Sequence, residues 1–414
     1  MQDQELYRQI LGIEAPWHVE RVELKLNQGE VHVYLEHEDK REWGCAECGA
    51  PSPLYDHQAE RQWRHLDTCQ YRTILHAAPP RSQCREHGVR VVKMPWAEAN
   101  SRFTALMEGL AIAWLKHASQ KAVAEQLHLS WDEIHGIMER AVERGLARRQ
   151  AEEIPQLGVD EKAFRKGHKY LTLVNDLSQN RVLYVAEGRE QSSLDGFWET
   201  ITEAQRDSIQ AVAMDMWDPF VASTTEHVPA GRSKIVYDRF HVMKHMTEAV
   251  DAVRKWEHRR LHADGDETLK KTKYLWLDSE ENLPESAAEK FAALRGLHLK
   301  TGRAWAIKES LRDLWEYRRR GWALRHWKHW YFWATHSRLK PVIKVAKMIH
   351  GHLENVLTYL DHRITTATCE GLNSKIQTIK KNAYGFRNRE HLKTAIFFHC
   401  GGLDLYPAAG PENA

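Results

Sequence analysis

The sequence predicts a multidomain α+β protein, because the spacing of its apolar residues changes three times along the chain. Strand-like alternation over residues 19–92 gives way to helical spacing over residues 101–150. A second set of strands follows over residues 157–237, and a helical region then continues to about residue 363. Strands and helices grouped in separate parts of a chain are typical of this class. The length of 414 residues is enough for two to four domains.

Composition excludes several classes of protein. Hydrophobic residues make up 42% and charged residues 28%, which is ordinary for a globular protein. No run approaches the roughly 18 apolar residues that a membrane span needs. The first ten residues are polar and acidic, unlike a secretory signal, so we expect a cytoplasmic protein with no membrane partner. Six cysteines in such a chain are free, metal-bound or catalytic rather than a disulfide framework.

The N-terminal segment combines strands with a predicted metal site. Residues 19–38 alternate around a glycine-bearing turn, which predicts a β-hairpin. Two knuckles follow, C-x-x-C-G and C-x-x-H-G, and each tight turn aims two ligands at one ion. They predict one structural Zn²⁺ on Cys45, Cys48, Cys84 and His87. Cys69, His57 and His65 are rival ligands, and unliganded loop cysteines are the alternative.

The next segment has the pattern of a helix-turn-helix. An apolar helix over residues 103–115 precedes two short helices, 119–127 and 130–138. Ser130, with Glu133 three residues later, predicts a capping box on the second of these. Such a helix can lie in the DNA major groove, with Ser130, Trp131 and His135 contacting DNA. Any two-helix hairpin shares the pattern, so this alternative stays open. The arginines at positions 140, 144, 148 and 149 predict a basic linker helix.

Charge is distributed unevenly although the net charge is only +2. Residues 1–60 hold 13 acidic and 5 basic residues, whereas residues 303–347 hold 12 basic and 3 acidic ones. Six tryptophans lie in the basic block. This combination can neutralise phosphates and stack on bases. A helical bundle with a tryptophan core and a basic surface is the equal alternative.

Residues 157–237 predict a mixed sheet with helices packed against it. Strands are expected at residues 157–164, 170–176, 181–187, 208–214 and 234–237. A helix is expected at residues 192–205, capped by Ser192 or Ser193. The strand 208–214 is apolar throughout, which favours burial of both faces.

Three carboxylates in this region form a candidate catalytic site. Asp160 lies mid-strand, where an ionisable group is costly unless it is paired or metal-bound. Asp215 ends the buried strand, where α/β sheets place their chemistry. Glu370 begins the polar face of a helix whose other face is apolar. If the first strand lies beside the fourth, the set can bind two divalent ions about 3.5–4 Å apart.

Each carboxylate also has a structural alternative. Asp160 fits an edge strand or a turn, Asp215 fits a helix cap, and Glu370 fits a first-turn carboxylate that stabilises the helix dipole. Spacing does not exclude four neighbouring acids: Glu161, Asp176, Asp218 and Asp238. We expect no catalytic role for His168, in a turn, or for His241, packed under the sheet.

Several motifs resemble those of the ISL-three family of bacterial insertion-sequence transposases. They are GVDEKAFRKGHKY at 158–170, DMW at 215–217, YDRFHV at 237–242, CEGLNSKI at 369–376 and YGFR at 384–387. The resemblance covers nearly the whole chain, including the zinc module and the helix-turn-helix. One departure is His87, where the family pattern has a cysteine, and zinc accepts either ligand.

The resemblance implies a DDE transposase with a ribonuclease H-like catalytic core and the triad Asp160, Asp215 and Glu370. It implies two Mg²⁺ or Mn²⁺ ions, hydrolysis at the insertion-sequence ends, and transfer of the 3′-hydroxyl into target DNA. The partners would be double-stranded terminal inverted repeats and target DNA, and the active complex a homodimer, nucleoid-associated when bound. Four basic residues would contact phosphates: Lys380, Lys381, Arg387 and Arg389.

The expected domains are a zinc module at 1–97, a helix-turn-helix at 98–152, a catalytic core at 153–261 with 364–403, and a helical insertion at 262–363. Two other functions remain as alternatives. One is a sequence-specific DNA-binding regulator with an inactive core, and the other is a structure-specific nuclease.

Overall fold

The computed structural model describes residues 3–38, 42–165, 169–278, 281, 283–364 and 367–407. The chain divides into two compact units. The first contains the chain up to Arg149, together with Lys380–His399 and the described residues from Leu403. The second contains Gln150–Ile379 and Cys400–Gly402. This division differs from the expected domains, because residues 380–399 group with the first unit.

The first unit opens with helix α1 (Asp3–Ile10) and two four-stranded sheets. Their strands are β1 (Trp17–Lys25), β2 (Glu30–His37), β3 (Glu42–Gly44), β4 (Pro51–His57), β5 (Arg61–Arg64), β6 (Arg72–Ala77), β7 (Pro80–Cys84) and β8 (Gly88–Val91). The sheet orders are β1-β2-β6-β5 and β3-β4-β7-β8. The predicted hairpin is confirmed, since Val22 pairs with Val33 across an antiparallel ladder. Gly29 closes its turn at φ +64°, which favours glycine.

Three helices follow, each begun by a hydroxyl cap: α2 (Ala105–Leu115), α3 (Gln120–Leu127) and α4 (Trp131–Arg148). The predicted capping box is confirmed, because Ser130 and Glu133 each bond the other's backbone N–H. His128 ends α3 in the left-handed region at φ 53°, which turns the chain between the two short helices. The apolar faces of α3 and α4 are buried through Val123, Ile134 and Ile137.

The second unit contains a five-stranded mixed sheet. Its strands are β9 (Gln156–Arg165), β10 (Lys169–Asp176), β11 (Arg181–Glu187), β12 (Ala211–Met214) and β13 (Ile235–Tyr237), in the order β11-β10-β9-β12-β13. The three long strands pair antiparallel, whereas β12 is parallel to both neighbours. All four residues of β12 are buried, as its apolar run predicts.

The remaining helices are α5 (Gln191–Thr200), α6 (Glu203–Ser208), α7 (Asp218–His227), α8 (Gly231–Lys234), α9 (Arg239–Ala263), α10 (Lys273–Leu277), α11 (Glu285–Arg295), α12 (Lys300–Arg312), α13 (Arg320–His336), α14 (Lys340–Gly351), α15 (Leu353–Leu357), α16 (Tyr359–His362), α17 (Ala367–Asn382) and α18 (Arg389–Cys400). Short 3-10 helices lie at Leu26–Gln28 and Asp313–Trp315. No helix among the described residues is long and apolar enough to cross a membrane.

The single helix predicted at 192–205 is wrong. The chain leaves α5 at Ile201 in an extended conformation, and Thr202 caps the separate helix α6 through a second capping box. Glu190, rather than either predicted serine, precedes α5. Ser208 ends α6 instead of opening the next strand. The spacing of apolar residues predicts one helix here, but the Thr202 cap begins a new helix and divides the segment into two.

The basic, tryptophan-rich block forms mainly a packed helical core. Four of its six tryptophans are buried: Trp305, Trp315, Trp327 and Trp330. Trp322 and Trp333 are exposed. Most of the aromatic surface is therefore used for packing, which favours the bundle interpretation of this block.

Candidate active site and metal site

Sheet register brings two of the predicted catalytic carboxylates level with each other. Strand β12 pairs with β9 in parallel, with Ala211 opposite Gln156 and Ala213 opposite Gly158. Continuing that register by two residues places Asp215 opposite Asp160. Asp160 lies in a central strand, between β10 and β12, so the edge-strand alternative is excluded.

Helix α17 packs on the same face of the sheet and carries Glu370. The Asn373 amide donates a hydrogen bond to the Asp160 carboxylate. Asn175 donates to the buried Cys369 sulfur over 3.3 Å. A Cβ on Gly158 would lie 2.4 Å from that sulfur, so glycine is what lets the helix approach. Glu370 itself is exposed, between the two anchoring residues.

Asp215 is held by its own loop rather than by the following helix. Its Oδ1 accepts the Met216 N–H at 2.6 Å, whereas α7 begins three residues later with Trp217 as its N-cap. Asp215 therefore does not cap α7, and that structural alternative is wrong. Glu370 does lie in the first turn of α17, so the dipole interpretation describes its position correctly.

The electrostatics of the two aspartates differ. Burial raises the pKa of Asp160, despite hydrogen bonds from Glu161 N–H and Asn373. Burial is the largest single influence on the pKa of Asp215 and raises it, but the hydrogen bond and charge of His241 and the Met216 N–H together outweigh burial, so the net shift is downward. In turn, that contact with Asp215 raises the pKa of His241.

Two further residues lie at this edge of the sheet: His241, for which no catalytic role was expected, and Asp238, one of the four neighbouring acids that spacing does not exclude. His241 Nδ1 lies 3.2 Å from Asp215 Oδ2, so its expected place beneath the sheet is wrong. Asp238 continues the row of acids, because Met214 pairs with Tyr237 and the next residues of both strands are acidic. Asp238 is buried. The sequence contains a signal for both residues. The parallel strand β13 is followed directly by the acid Asp238, and His241 comes three residues after that acid. The expected place of His168 lies outside the described residues.

These residues fit divalent ions by chemistry, since carboxylates are the ligands that Mg²⁺ and Mn²⁺ prefer. The ligand atoms of Asp160, Asp215 and Glu370, all of them described residues, do not all lie within 4.8 Å of one another, so they are not grouped around a single ion. A site for two neighbouring ions does not need its ligand atoms to be so close together. Ligands that bind different ions lie farther apart than ligands that bind the same ion.

The four predicted zinc ligands are close together, because one ligand atom from each lies within 4.8 Å of the others. Cys48 and Cys84 sulfurs are 3.8 Å apart, and His87 Nδ1 lies 3.7 Å from Cys84 and 3.9 Å from Cys45. Sulfurs about 2.3 Å from a tetrahedral zinc lie ~3.8 Å apart, so this geometry fits the ion. The His87 backbone and side chain hold the pKa of Cys84 at about 6, which favours the thiolate that binds metal. Cys69, His57 and His65 lie outside the cluster.

Comparisons with known proteins identify the same three modules. A family profile described as "Transposase" (DDE_Tnp_ISL3) matches residues 157–396, more than half of the chain. The profile "Helix-turn-helix domain of transposase family ISL3" matches residues 92–142. "Zinc-finger of transposase IS204/IS1001/IS1096/IS1165" matches residues 41–87. The chain belongs to the ISL3 family of transposases.

Two relatives of this ISL3 transposase align along most of their length. The transposase for insertion sequence element IS1001 from Bordetella parapertussis is 29% identical over 396 residues, 94% of this chain and 97% of the relative. The transposase for IS1557 from Mycobacterium tuberculosis is 28% identical over 376 residues, 84% of this chain and 83% of the relative. The helix-turn-helix and transposase modules imply DNA binding.

The helix-turn-helix of the transposase differs from expectation in how its basic residues are used. Glu108 is buried, and Arg140 bonds it over 2.6 Å and Arg144 over 3.0 Å. Arg148 bonds Asp404. These arginines fix α4 within its own unit rather than forming a basic linker.

The three predicted DNA contacts on α4 differ in their accessibility. Trp131 is exposed, and Ser130 is exposed with its hydroxyl engaged in the cap. His135 is 5% exposed and stacks on Trp131, so it has no open face for a base. The expectation that His135 contacts DNA is therefore wrong, because its position on α4 faces α18 instead of solvent.

Proposed function

We propose that this ISL3 transposase is a DDE enzyme in which Asp160, Asp215 and Glu370 bind two Mg²⁺ or Mn²⁺ ions. The observation that carries the proposal is the register of β9 and β12, which aligns two carboxylates beneath the helix that bears the third. The strand order β11-β10-β9-β12-β13, third-second-first-fourth-fifth in the chain, supports a ribonuclease H-like core.

Each residue has a distinct task. Asn373 holds the Asp160 carboxylate, while Met216 N–H and His241 orient the two oxygens of Asp215. Glu370 reaches from the helix start, where solvent and DNA have access. When bound, the ions would polarise the phosphodiester and favour deprotonation of the attacking water or 3′-hydroxyl. The protein supplies position and negative charge, and it forms no covalent bond to DNA.

The proposed reaction has two phosphoryl transfers. In the first, water attacks a phosphodiester at the insertion-sequence end, and the P–O bond to the departing 3′-oxygen breaks. In the second, the freed 3′-hydroxyl attacks a target phosphodiester, so that one P–O bond forms as another breaks. Both steps proceed by in-line displacement, which one pocket can serve.

DNA recognition falls to the other modules in this proposal. One zinc on Cys45, Cys48, Cys84 and His87 stabilises the ribbon, and Ser130 and Trp131 lie at the exposed start of α4. Lys380, Lys381, Arg387 and Arg389 contact phosphates of the terminal repeats or the target. Pairing of two repeat ends requires two active sites, so a homodimer is the expected active complex.

A cleavage and strand-transfer assay on matched insertion-sequence ends tests this function. With Mg²⁺ or Mn²⁺, the wild type should nick the ends and join them to target DNA. Asp160→Asn should lose both nicking and joining and keep DNA binding. Asp218 is an exposed acid at the start of α7, so Asp218→Asn should retain nicking, joining and DNA binding. Binding without metal-dependent nicking would identify a regulator, and nicking without joining would identify a nuclease.

A further inference from the structure

A second cluster of metal-ligand side chains lies in the first unit, away from the zinc ribbon. It contains His135 and Glu139 on α4 and His391 on α18, and we call it the HEH cluster. One ligand atom from each of the three lies within 4.8 Å of the others. We propose that the HEH cluster is a second metal site, which binds a divalent transition ion such as Zn²⁺ and fastens α18 to the helix-turn-helix.

The helix positions explain how two ligands share one direction. Residues four apart lie on the same face of a helix, so α4 presents His135 and Glu139 together. His135 Nε2 lies 3.1 Å from Glu139 Oε1. Two ligands about 2.1 Å from one ion lie about 3.0 Å apart at a right angle and about 3.4 Å apart in a tetrahedron. The observed separation falls between those values.

His135 supplies a second, independent indication of a ligand. Its Nε2 is buried and forms no hydrogen bond of acceptable geometry, although Glu139 is within ion-pair distance. A buried imidazole nitrogen without a hydrogen bond is costly, and a metal ion would relieve that cost. The ring centres of His135 and His391 are 4.0 Å apart, and the two ring planes are inclined at 55°.

Rotation of the neighbouring Gln120 amide, whose nitrogen now lies near His135 Nδ1, would allow the tautomer that metal binding needs. The Gln120 amide lies 3.4 Å from His135 Nδ1. A half turn of that amide places its oxygen there, where it accepts the Nδ1 proton and leaves the Nε2 lone pair for the ion. Trp131 stacks on His135 at 4.8 Å and shields one side of the cluster. Two histidines and one carboxylate form a set typical of zinc and related ions.

The site would give α18 a role beyond packing. His391 is the one cluster member outside α4, and it lies in the first turn of a helix that follows α17 in the chain. A metal bond to His391 therefore holds α18 against the helix that begins at Trp131. Loss of the ion should loosen this attachment without removing either helix.

Zinc content measured on the full chain tests the proposal. The protein is stripped with a chelator, reloaded with Zn²⁺ in excess Mg²⁺, desalted and analysed for bound zinc. His391→Ala should hold one zinc fewer per chain than the wild type, while His117→Ala, at an exposed histidine of the same unit, should hold as many. Cys45→Ser should lose the other zinc and keep this one. Equal zinc in the wild type and His391→Ala would overturn the proposal.

A second variant and a second readout separate metal binding from packing. Glu139→Gln keeps the side-chain shape at a position that is 46% exposed, so it should fold and bind zinc at least tenfold more weakly. Hydrogen exchange of α18 should slow when zinc is added to the wild type, and this slowing should be absent in His391→Ala. Slowing that is the same in both proteins, or unchanged zinc affinity in Glu139→Gln, would refute the site.

Discussion

Gly158 lies against the helix that carries Glu370, and Gly158→Ala tests the importance of that close approach. An alanine Cβ would lie 2.4 Å from Cys369 Sγ and 2.8 Å from Leu177 Cδ2. Gly158 sits in a strand hydrogen-bonded on both sides, so the strand has little freedom to move. Its backbone does not require a positive φ, and the substitution is therefore a steric test alone.

The size of the effect follows from these distances. Ordinary carbon–sulfur contacts are about 3.5–4.0 Å, so the sulfur or the helix must move by more than about 1 Å. Cys369 is buried and bonded to Asn175, which opposes rotation of the sulfur alone. A shift of about 1 Å in a catalytic group can cost about 100-fold in rate. We therefore expect Gly158→Ala to lower DNA cleavage by about 10- to 100-fold.

The assay is metal-dependent nicking of end DNA, with DNA binding measured in parallel. Binding should be unchanged, and the double variant Gly158→Ala with Cys369→Ala should recover most of the cleavage, because it removes the sulfur that the new methyl meets. Cleavage at the wild-type rate in Gly158→Ala, or no recovery in the double variant, would refute the reasoning.

Four further predictions concern other parts of the chain. Glu108→Gln should destabilise the first unit by about 1–3 kcal/mol in a chemical unfolding titration, because it removes the charge partner of Arg140 and one of the two carboxylates that pair with Arg144. Burial lowers the pKa of His65 to about 4, so His65 becomes protonated at a higher pH in the unfolded chain than in the folded one. The free energy of unfolding should therefore fall by about 3 kcal/mol in total as the pH drops from 6.5 to 4, measured by thermal melts. Cys84→Ser should abolish zinc binding at the ribbon and lower its melting temperature, and Cys69→Ser, outside the cluster, should do neither. His241→Asn should slow cleavage about 10- to 100-fold at unchanged DNA affinity, since Asp215 loses its orienting partner.

Much of the fold was predictable because local chemistry and tertiary structure agree there. The Gly29 turn, the Ser130 capping box and the apolar run of β12 each determine a local conformation that the fold keeps. The zinc ligands were predictable for a similar reason, since two residues between ligands fix their separation. Asp160 and Asp215 could be placed on strands, and the parallel pairing of β9 and β12 was the condition for their approach.

Other features could not be predicted, because they depend on partners distant in the chain. The burial of His135 depends on α18, which lies more than 240 residues later. The arginines of α4 were expected to be free for a linker, yet their partner Glu108 lies in a different helix and is itself buried. His241 was missed because spacing alone does not show that β13 lies next to β12. In each case the sequence does not show which distant residue lies next to the one in question, whereas the local helix or strand propensity was not the obstacle.

The three acids differ in what fixes them, and this difference predicts where the active site is most easily disturbed. Asp160 lies on β9 and Asp215 directly follows the adjacent strand β12, so the backbone register of the two strands sets their relative position. Glu370 lies on α17, which contacts the sheet through side chains. Asn373 donates a hydrogen bond to Asp160, and the Cys369 sulfur packs against Gly158. Side-chain packing yields more readily than a strand ladder. A change that displaces α17 should therefore separate the third acid from the first two while the sheet stays folded, and loss of cleavage should precede loss of structure.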